Sequence, residues 1–265
     1  MLKAVLLDLG GVVYVGRYPL PGAVDAIERL RARGLSLRFL TNTTRSSKRM
    51  LLDKLRSMEL SIGADELFMP ASAVRQRLEA EGLAAHLLVH PNLLEDFAGL
   101  PDSEPDAVVI GDAGEGFTYQ ALNKAFRVLN TGAEFLALAK NRSFRDEDNE
   151  LSLDAGAFVT ALEYATEREA TVFGKPSEAF FAAALESMGC GPGEAVMIGD
   201  DVEADVGGGM AAGMAGILVK TGKYRPGNEK TISPAPTFVA EDLCEAADWI
   251  LSQASGSEPA RRRTG

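Results

Sequence analysis

Short apolar runs, each followed by a polar cluster, recur along the chain. The clearest are Ala4–Leu7, Ala107–Ile110 and Ala195–Ile198, and the shorter segment Leu35–Leu40 follows the same pattern with two polar residues inside it. Runs of four to six such residues have the length of strands, and the fully apolar ones suit strands buried on both faces of a parallel sheet. The pattern therefore predicts the central strands of an α/β protein.

Segments with the apolar spacing of helices lie between these strands. In Ala23–Arg33, the side chains of Val24, Ile27 and Leu30 share one face, and Gly34 supplies a stop signal. The alternation of strand and helix predicts parallel βα units. Further helices are expected from Ser46 or Ser47 to Met58, and over Ala71–Glu81, Thr118–Leu129, Phe158–Glu167 and Ser177–Met188, with a glycine-rich helix over Val206–Gly213.

Three segments lack either periodicity. Residues 14–22 contain Pro19, Pro21 and Gly22 and predict a loop, and residues 141–150 predict a highly charged loop. The small and polar residues 254–265, which end in three arginines before Thr and Gly, predict a disordered tail.

Composition and charge exclude several classes of partner. The chain has 265 residues, of which 46% are hydrophobic and 25% charged, as in ordinary globular proteins. Its formal net charge of −11 argues against nucleic acid and anionic membrane surfaces, which attract lysine and arginine. An anionic substrate would need a local positive feature to overcome this field.

Cysteine and histidine are too scarce for some site types. Two cysteines, Cys190 and Cys244, cannot build a disulfide framework, and two histidines cannot build a histidine-rich metal cluster. The sequence has neither an apolar run of about 18 residues nor a signal-peptide pattern at its start. We therefore expect no membrane segment and a cytoplasmic location.

Polar residues with complementary chemistry follow four of the predicted strands. Because the carboxyl ends of parallel strands lie at one edge of a sheet, these residues can converge there. Two carboxylates and a backbone carbonyl suit Mg²⁺, while a hydroxyl, an amide and an ammonium can hold phosphate oxygens. A carboxylate aimed at the phosphorus can act as a nucleophile. The residues are Asp8 with Gly10, Thr41 with Asn42, Lys175, and Asp200 with Asp201 and Asp205.

Each feature alone also has a simpler explanation. Asp8 could cap its strand in an ordinary βα turn, and Thr41-Asn42 could be a loop or a helix cap. Lys175 could be a surface charge, and Asp200-Asp201 could cap a helix, where acidic residues are favourable. The order of the four features along the chain favours one site over four coincidences.

This order resembles the four motifs of the haloacid dehalogenase-like superfamily of Mg²⁺-dependent phosphatases. The resemblance covers most of residues 3–250, and Phe158–Tyr164 and Leu218–Tyr224 are similar to a branch with a large α/β cap. It implies a three-layer α/β/α, Rossmann-like parallel-sheet core with an inserted α/β cap domain. The implied core comprises residues 1–82 and 171–253, and the cap residues 83–170.

The resemblance also implies a role for each motif residue. Asp8 matches the nucleophile that becomes an aspartyl-phosphate and binds Mg²⁺, Gly10 matches a position whose carbonyl binds the metal, and Asp200 matches the other metal carboxylate. The remaining matches are Thr41 with Asn42 as phosphate-holding residues, Lys175 as the cation that neutralises nucleophile and phosphate, and Asp201 and Asp205 as supports for the metal carboxylate.

The chain departs from the family at Gly10. Most phosphatases of the superfamily have there an aspartate that protonates the leaving group and then activates water. Loss of such general acid–base assistance typically costs a factor of about 10²–10⁴ in rate. We therefore expect good leaving groups to be tolerated best, as in pyrophosphate, aryl phosphates and P–N compounds.

Within the implied cap, Arg142 lies in the basic segment Lys140–Arg145, which also contains Lys140 and Arg145. Arginine suits anionic groups, so Arg142 is a candidate for substrate contact, although a solvated charged loop explains the same residues.

The sequence thus predicts a Mg²⁺-dependent phosphohydrolase acting on a small phosphorylated compound, pyrophosphate or a P–N phosphate. A catalytically feeble regulatory protein that binds phosphate and Mg²⁺ is the alternative, favoured by Gly10. A dehalogenase or phosphonate hydrolase fits less well, because relatives with those activities use different caps. No nucleic acid or membrane partner is expected, and a homodimer is one assembly that the sequence leaves open.

Overall fold

The structure is a computed structural model and describes residues 2–145 and 150–255. The strands of the described part are β1 (Ala4–Asp8), β2 (Tyr14–Val15), β3 (Tyr18–Pro19), β4 (Ser36–Leu40), β5 (Leu67–Phe68), β6 (Ala85–Leu88), β7 (Ala107–Ile110), β8 (Glu134–Ala137), β9 (Ser143–Arg145), β10 (Leu151–Leu153), β11 (Thr171–Val172), β12 (Ala195–Gly199), β13 (Ala215–Val219) and β14 (Phe238–Ala240).

The α-helices alternate with these strands. They are α1 (Ala23–Ala32), α2 (Lys48–Ser57), α3 (Pro70–Glu81), α4 (Tyr119–Leu129), α5 (Ala155–Thr166), α6 (Glu178–Met188), α7 (Gly208–Ala211) and α8 (Leu243–Ser255). A π-helical turn, Val202–Gly207, leads directly into α7, and a 3₁₀ segment, Pro91–Phe97, precedes β7. The predicted α/β alternation is confirmed.

The chain divides into two compact units. The first comprises Met1–Phe39 with Leu185–Gly265, and the second is the unbroken segment Leu40–Ala184. The division at residues 82 and 171, which the sequence resemblance implies, remains a prediction.

The first unit is built on a parallel sheet in the order β14-β13-β12-β1-β4. Strand β1 is fully buried, as the apolar run at residues 4–7 predicts. Helix α8 packs against α1, β13 and β14, and α7 packs against β12 and β13.

The register of this sheet positions the acidic residues. Leu7 of β1 pairs with Ile198 of β12, so Asp8 ends its strand beside Gly199, one residue before Asp200. Neighbouring strands lie roughly 5 Å apart. Two acidic residues from distant parts of the sequence therefore meet at one edge.

The second unit contains a parallel four-stranded sheet in the order β11-β8-β7-β6. Helices α4 and α5 pack together, and their apolar faces share a buried cluster with this sheet. That cluster includes Val108, Ile110, Leu129, Val159 and Leu162.

Several local predictions need correction. The loop predicted over residues 14–22 contains the small hairpin β2–β3. The charged loop predicted over residues 141–150 contains strand β9, which pairs antiparallel with β10. Val24 is 46% exposed, because α1 buries Ala23, Ala26, Ile27 and Leu30 instead. The glycine-rich helix begins at Val202, four residues earlier than the pattern indicated.

Almost all of the predicted disordered tail, residues 254–265, lies outside the described residues. Among the helices of the described part, none is long and apolar enough to cross a membrane.

Candidate active site

Three buried carboxylates meet in the first unit. Asp8, Asp200 and Asp205 each offer an oxygen, and these oxygens all lie within 4.8 Å of one another. The residues are only 8%, 1% and 2% exposed, respectively. Three negative groups this close, and this far from solvent, repel one another unless positive charge is supplied. The cluster therefore has the donor chemistry of a cation site.

Two glycines make room for the carboxylate of Asp200. A Cβ atom at Gly11 would lie 2.0 Å from Asp200 Oδ2, and a Cβ at Gly222 would lie 1.9 Å from the same oxygen. Both glycines have positive φ, +86° and +57°, a conformation that L side chains rarely adopt. The backbone N–H of Lys223 donates to the same oxygen at 2.7 Å. Asp200 is thus fixed between two tight loops.

The π-helical turn after β12 places Asp205 in the cluster. The carbonyl of Asp201 accepts hydrogen bonds from the N–H groups of both Asp205 and Val206, at 3.0 and 3.3 Å. The second bond spans five residues and widens the turn. Asp205 Oδ2 in turn accepts from the N–H of Asp201 at 3.2 Å. Its side chain packs directly on Gly199, where an added Cβ would lie 2.1 Å from Asp205 Cβ.

The carboxylate of Asp201 makes two kinds of contact. Its Oδ1 caps the π-helical turn by accepting from the N–H groups of Glu203 and Ala204. Its Oδ2 accepts from Lys223 Nζ at 3.2 Å.

The electrostatics of the Asp201–Lys223 pair favour both charged forms. Burial alone would raise the pKa of Asp201, but the Ala204 N–H and the Lys223 ammonium lower it below its ordinary value. Burial alone would also lower the pKa of Lys223, yet Asp201 raises it above its ordinary value. Both groups are therefore charged at neutral pH, and the pair ties the Thr221–Lys223 loop to the turn that follows Asp200.

Gly10 lies at the same sheet edge and is exposed. A Cβ atom built on it would have nothing within 4 Å, and its φ lies outside the left-handed region. The missing side chain therefore reflects neither crowding nor backbone strain.

The chain folds back in a tight turn that brings Tyr14 next to Gly10. The two residues form an isolated β-bridge, and the Gly11 N–H donates to the Tyr14 carbonyl at 2.8 Å. Burial, and secondarily the charge of Asp8, raise the pKa of Tyr14 above its ordinary value. The phenol therefore remains protonated at neutral pH.

The second unit brings Asn42 and Lys175 together. The Asn42 Nδ2 donates to the Lys175 carbonyl and the Lys175 N–H donates to Asn42 Oδ1, both at 2.8 Å. The side-chain amide thereby pairs with the backbone of Lys175 on both sides, as a neighbouring strand would. Lys175 itself is only 7% exposed. Thr41 Oγ1 accepts from the Thr43 N–H at 3.3 Å and lies next to this pair in sequence.

Arg142 lies just before β9 and is exposed. Its carbonyl accepts from the N–H of Asp154 at 3.2 Å. Its role in substrate contact remains a prediction.

Sequence reasoning missed the loop Thr221–Lys223 as part of the carboxylate site. The signal was available, because a polar, glycine-containing segment follows the buried strand β13 at the same sheet edge. The Lys223 N–H donates to Asp200 and the Lys223 ammonium pairs with Asp201. The Thr221 hydroxyl donates to the Gly11 carbonyl. The loop therefore contacts Asp200 itself and two residues near the carboxylate cluster.

The fold and the site define an α/β protein with a buried carboxylate cluster at the carboxyl edge of a parallel sheet. Two family models match the chain: one described as haloacid dehalogenase-like hydrolase over residues 5–100, and one described as HAD-hydrolase-like over residues 172–246.

Named relatives span nearly the whole chain. It is 50% identical over 250 residues to haloacid dehalogenase-like hydrolase domain-containing protein 2 of Homo sapiens, covering 94% of this chain and 96% of that protein. It is 44% identical over 258 residues to the phospholysine phosphohistidine inorganic pyrophosphate phosphatase of Danio rerio, covering 95% of each. The chain belongs to the haloacid dehalogenase-like hydrolase family, as its motifs predict.

A solved structure supports the same assignment. The p-nitrophenyl phosphatase from Archaeoglobus fulgidus aligns with a TM-score of 0.83 at 27% identity, covering 93% of this chain and 98% of that one. The predicted Rossmann-like core with an α/β cap agrees with this similarity.

Proposed function

We propose that this protein is a Mg²⁺-dependent phosphohydrolase that transfers a phosphoryl group first to Asp8 and then to water. The observation that carries the proposal is the buried cluster of Asp8, Asp200 and Asp205, found in a chain of a hydrolase family with phosphatase-named relatives.

The cluster fits Mg²⁺ chemically, because this ion prefers oxygen ligands and is commonly held by one or two carboxylates. Asp8 and Asp200 would hold it, together with the Gly10 carbonyl. Asp205 lies close enough to the other two to be a ligand as well as a support. Bound Mg²⁺ would supply positive charge that offsets the carboxylates and the phosphoryl oxygens.

In the proposed reaction, a carboxylate oxygen of Asp8 forms a bond to phosphorus as the bond to the leaving group breaks. Water then attacks the aspartyl-phosphate, which releases phosphate and restores Asp8. Lys175 neutralises the charge on the phosphoryl group, and the Thr41 hydroxyl holds one of its oxygens. Asn42 contributes by fixing the backbone of Lys175, as its two hydrogen bonds indicate.

Gly10 sets the substrate preference in this proposal. Without a carboxylic acid at this position, the leaving group receives no proton from it, so the reaction favours groups that depart readily. Pyrophosphate and P–N phosphates meet this requirement, and the Danio rerio relative is named for both classes. The proposed substrate is accordingly a small phosphorylated compound of this kind, hydrolysed in the cytoplasm.

Hydrolysis of p-nitrophenyl phosphate tests the proposal. The wild-type protein should release nitrophenol with Mg²⁺ present and lose this activity in excess EDTA. Asp8→Asn should reduce the rate by a factor of about 10³ or more, because it removes the nucleophile. The control Asp25→Asn, on an exposed acid of α1, should retain wild-type activity.

The alternative, a regulatory protein that binds phosphate and Mg²⁺, is favoured by the absence of an acidic side chain at Gly10. Equal rates in wild type and Asp8→Asn, with phosphate binding intact, would establish that alternative and refute the enzyme.

A further inference from the structure

A buried carboxylate holds an arginine at one end of the sheet in the second unit. Arg45 Nε donates to Asp112 Oδ2 at 2.5 Å. The Asp112 side chain is 6% exposed, whereas 39% of the Arg45 side chain is exposed. The second oxygen of Asp112 accepts from the Gly114 N–H at 3.1 Å. Asp112 is therefore held by hydrogen bonds to both of its oxygens, and the Arg45 guanidinium that it orients is partly exposed to solvent.

The backbone of Arg45 is fixed as well. Asn92 Nδ2 donates to the Arg45 carbonyl at 3.0 Å, and the Asn92 N–H donates to His90 Nδ1 at 3.2 Å. Both ends of the arginine are thus constrained. Pre-ordering of this kind reduces the entropy that binding an anion would otherwise cost.

The pair lies near the phosphate-holding residues of the proposed reaction. Asp112 follows β7 by two residues and Lys175 follows β11 by three, so both lie at the carboxyl edge of one parallel sheet. Only β8 separates these strands, which places their ends roughly 10 Å apart. Arg45 also follows Asn42, the partner of Lys175, by only three residues.

The chemistry of the pair suits anion recognition. Burying a carboxylate is costly unless it is paired and hydrogen-bonded, and Asp112 meets this condition through Arg45 and the Gly114 N–H. Arginine binds phosphate and carboxylate groups in a fixed planar geometry.

We propose that Arg45, oriented by Asp112, binds a second anionic group of the substrate. The preferred substrates then carry a phosphate or carboxylate group beside the phosphoryl group that is transferred. Arg45 is a specificity residue and Asp112 a positioning residue in this scheme, which rests on the proposed function for the identity of the transferred group.

Binding of ligands that are not hydrolysed tests the proposal separately from catalysis. Calorimetry with Mg²⁺ present would compare orthophosphate, which has one anionic group, with imidodiphosphate and phosphonoacetate, which have two. In Arg45→Gln, affinity for at least one two-anion ligand should fall by a factor of about 10–100, while that for orthophosphate changes less than about threefold.

The two-anion ligands also identify the second group. A loss confined to imidodiphosphate assigns a phosphate, a loss confined to phosphonoacetate assigns a carboxylate, and a loss of both assigns either. Arg45→Lys keeps the charge without the planar fork and should recover part of the affinity. Asp112→Asn should weaken the same ligands less than Arg45→Gln does, because the guanidinium remains but is no longer held.

The matched control is Arg49→Gln, which removes an exposed arginine of α2 that pairs with Glu95 and Asp53. It should leave all three affinities unchanged. Equal weakening of all three ligands by Arg45→Gln, or no weakening, would overturn the proposal. Failure to hydrolyse p-nitrophenyl phosphate would instead refute the proposed function and leave this comparison of affinities intact.

Discussion

The position of the Asp200 carboxylate depends on two neighbouring residues that have no side chain. Gly11 and Gly222 both approach its Oδ2 so closely that neither can carry a Cβ without moving that oxygen. Gly10, one residue away from Gly11, has open space around it. Three glycines near one site therefore have different structural requirements, which the residue type alone does not reveal.

Alanine substitutions should separate these requirements. Gly11→Ala and Gly222→Ala should displace the Asp200 carboxylate and strain a backbone of positive φ, lowering activity with p-nitrophenyl phosphate by a factor of about ten or more, as expected for misplaced catalytic groups. The activity loss should be partly reversed by high Mg²⁺. The control Gly10→Ala should behave like the wild type, and equal losses in all three variants would contradict this account.

Gly10→Asp should restore the acid that the family usually has at this position. Because the site offers space and an unstrained backbone, turnover of simple alkyl phosphates should rise, within the factor of about 10²–10⁴ that acid–base assistance supplies. Aryl phosphates should gain less, since their leaving groups need less help. Gly10→Asn, which has a similar shape and no acidic proton, should not reproduce the gain. Unchanged or lower turnover of alkyl phosphates in Gly10→Asp would show that our interpretation of Gly10 is wrong.

At this scale, the sequence predicts the acidic residues better than their supports. Asp8 and Asp200 could be paired because each follows a buried strand of a parallel sheet. The contact of Lys223 with Asp201 and its N–H bond to Asp200 join loops about 20 residues apart. Such contacts depend on the path of each loop, which hydrophobic periodicity does not encode.

At the scale of elements, the strands and helices with strong periodicity were predicted closely. Strand β7 matches its predicted bounds, and Ser47 caps α2 by accepting from the Met50 N–H. The hairpins β2–β3 and β9–β10 were missed because strands of two or three residues are too short to show alternation. The helix predicted over Val206–Gly213 begins four residues earlier, at Val202, because Asp201 caps a π-helical turn there.

Strand β6 contains a histidine whose ring is poorly accommodated. The Nε2 atom of His86 is buried and has no hydrogen-bond partner among the described residues. Burial, and then the charge of Lys124 on α4, lower the pKa of His86 below its ordinary value. The folded protein therefore holds this ring neutral in a range where the unfolded chain would bind a proton.

This histidine should make the protein less stable in mild acid. Stability from a lowered histidine pKa is fully present above about pH 6.5 and is lost as the pH falls further, by at most about 1.4 kcal/mol per pH unit. His86→Leu should remove this contribution, so its advantage in melting temperature over the wild type should grow between pH 7 and pH 5. A parallel shift of the His86→Leu melting temperature at every pH would contradict the prediction.

At the scale of the whole molecule, the two units differ in how the chain builds them. The second is one unbroken segment, whereas the first joins the N-terminal residues to the last third of the chain. The family resemblance implies an interrupted core, with the cap inserted between residues 82 and 171. The sequence pattern alone could not fix the points of interruption, since helices and strands alternate in the same way throughout.

The site that holds the Asp200 carboxylate also has a consequence for the synthesis of the protein. Its components come from residue 11 and from residues 222 and 223, so they are synthesised at widely separated times. Chains emerge from the ribosome N-terminus first, and domains tend to fold as they emerge. The second unit can therefore be complete before β12 pairs with β1, and Asp200 lacks its full set of contacts until the loop after β13 has left the exit tunnel.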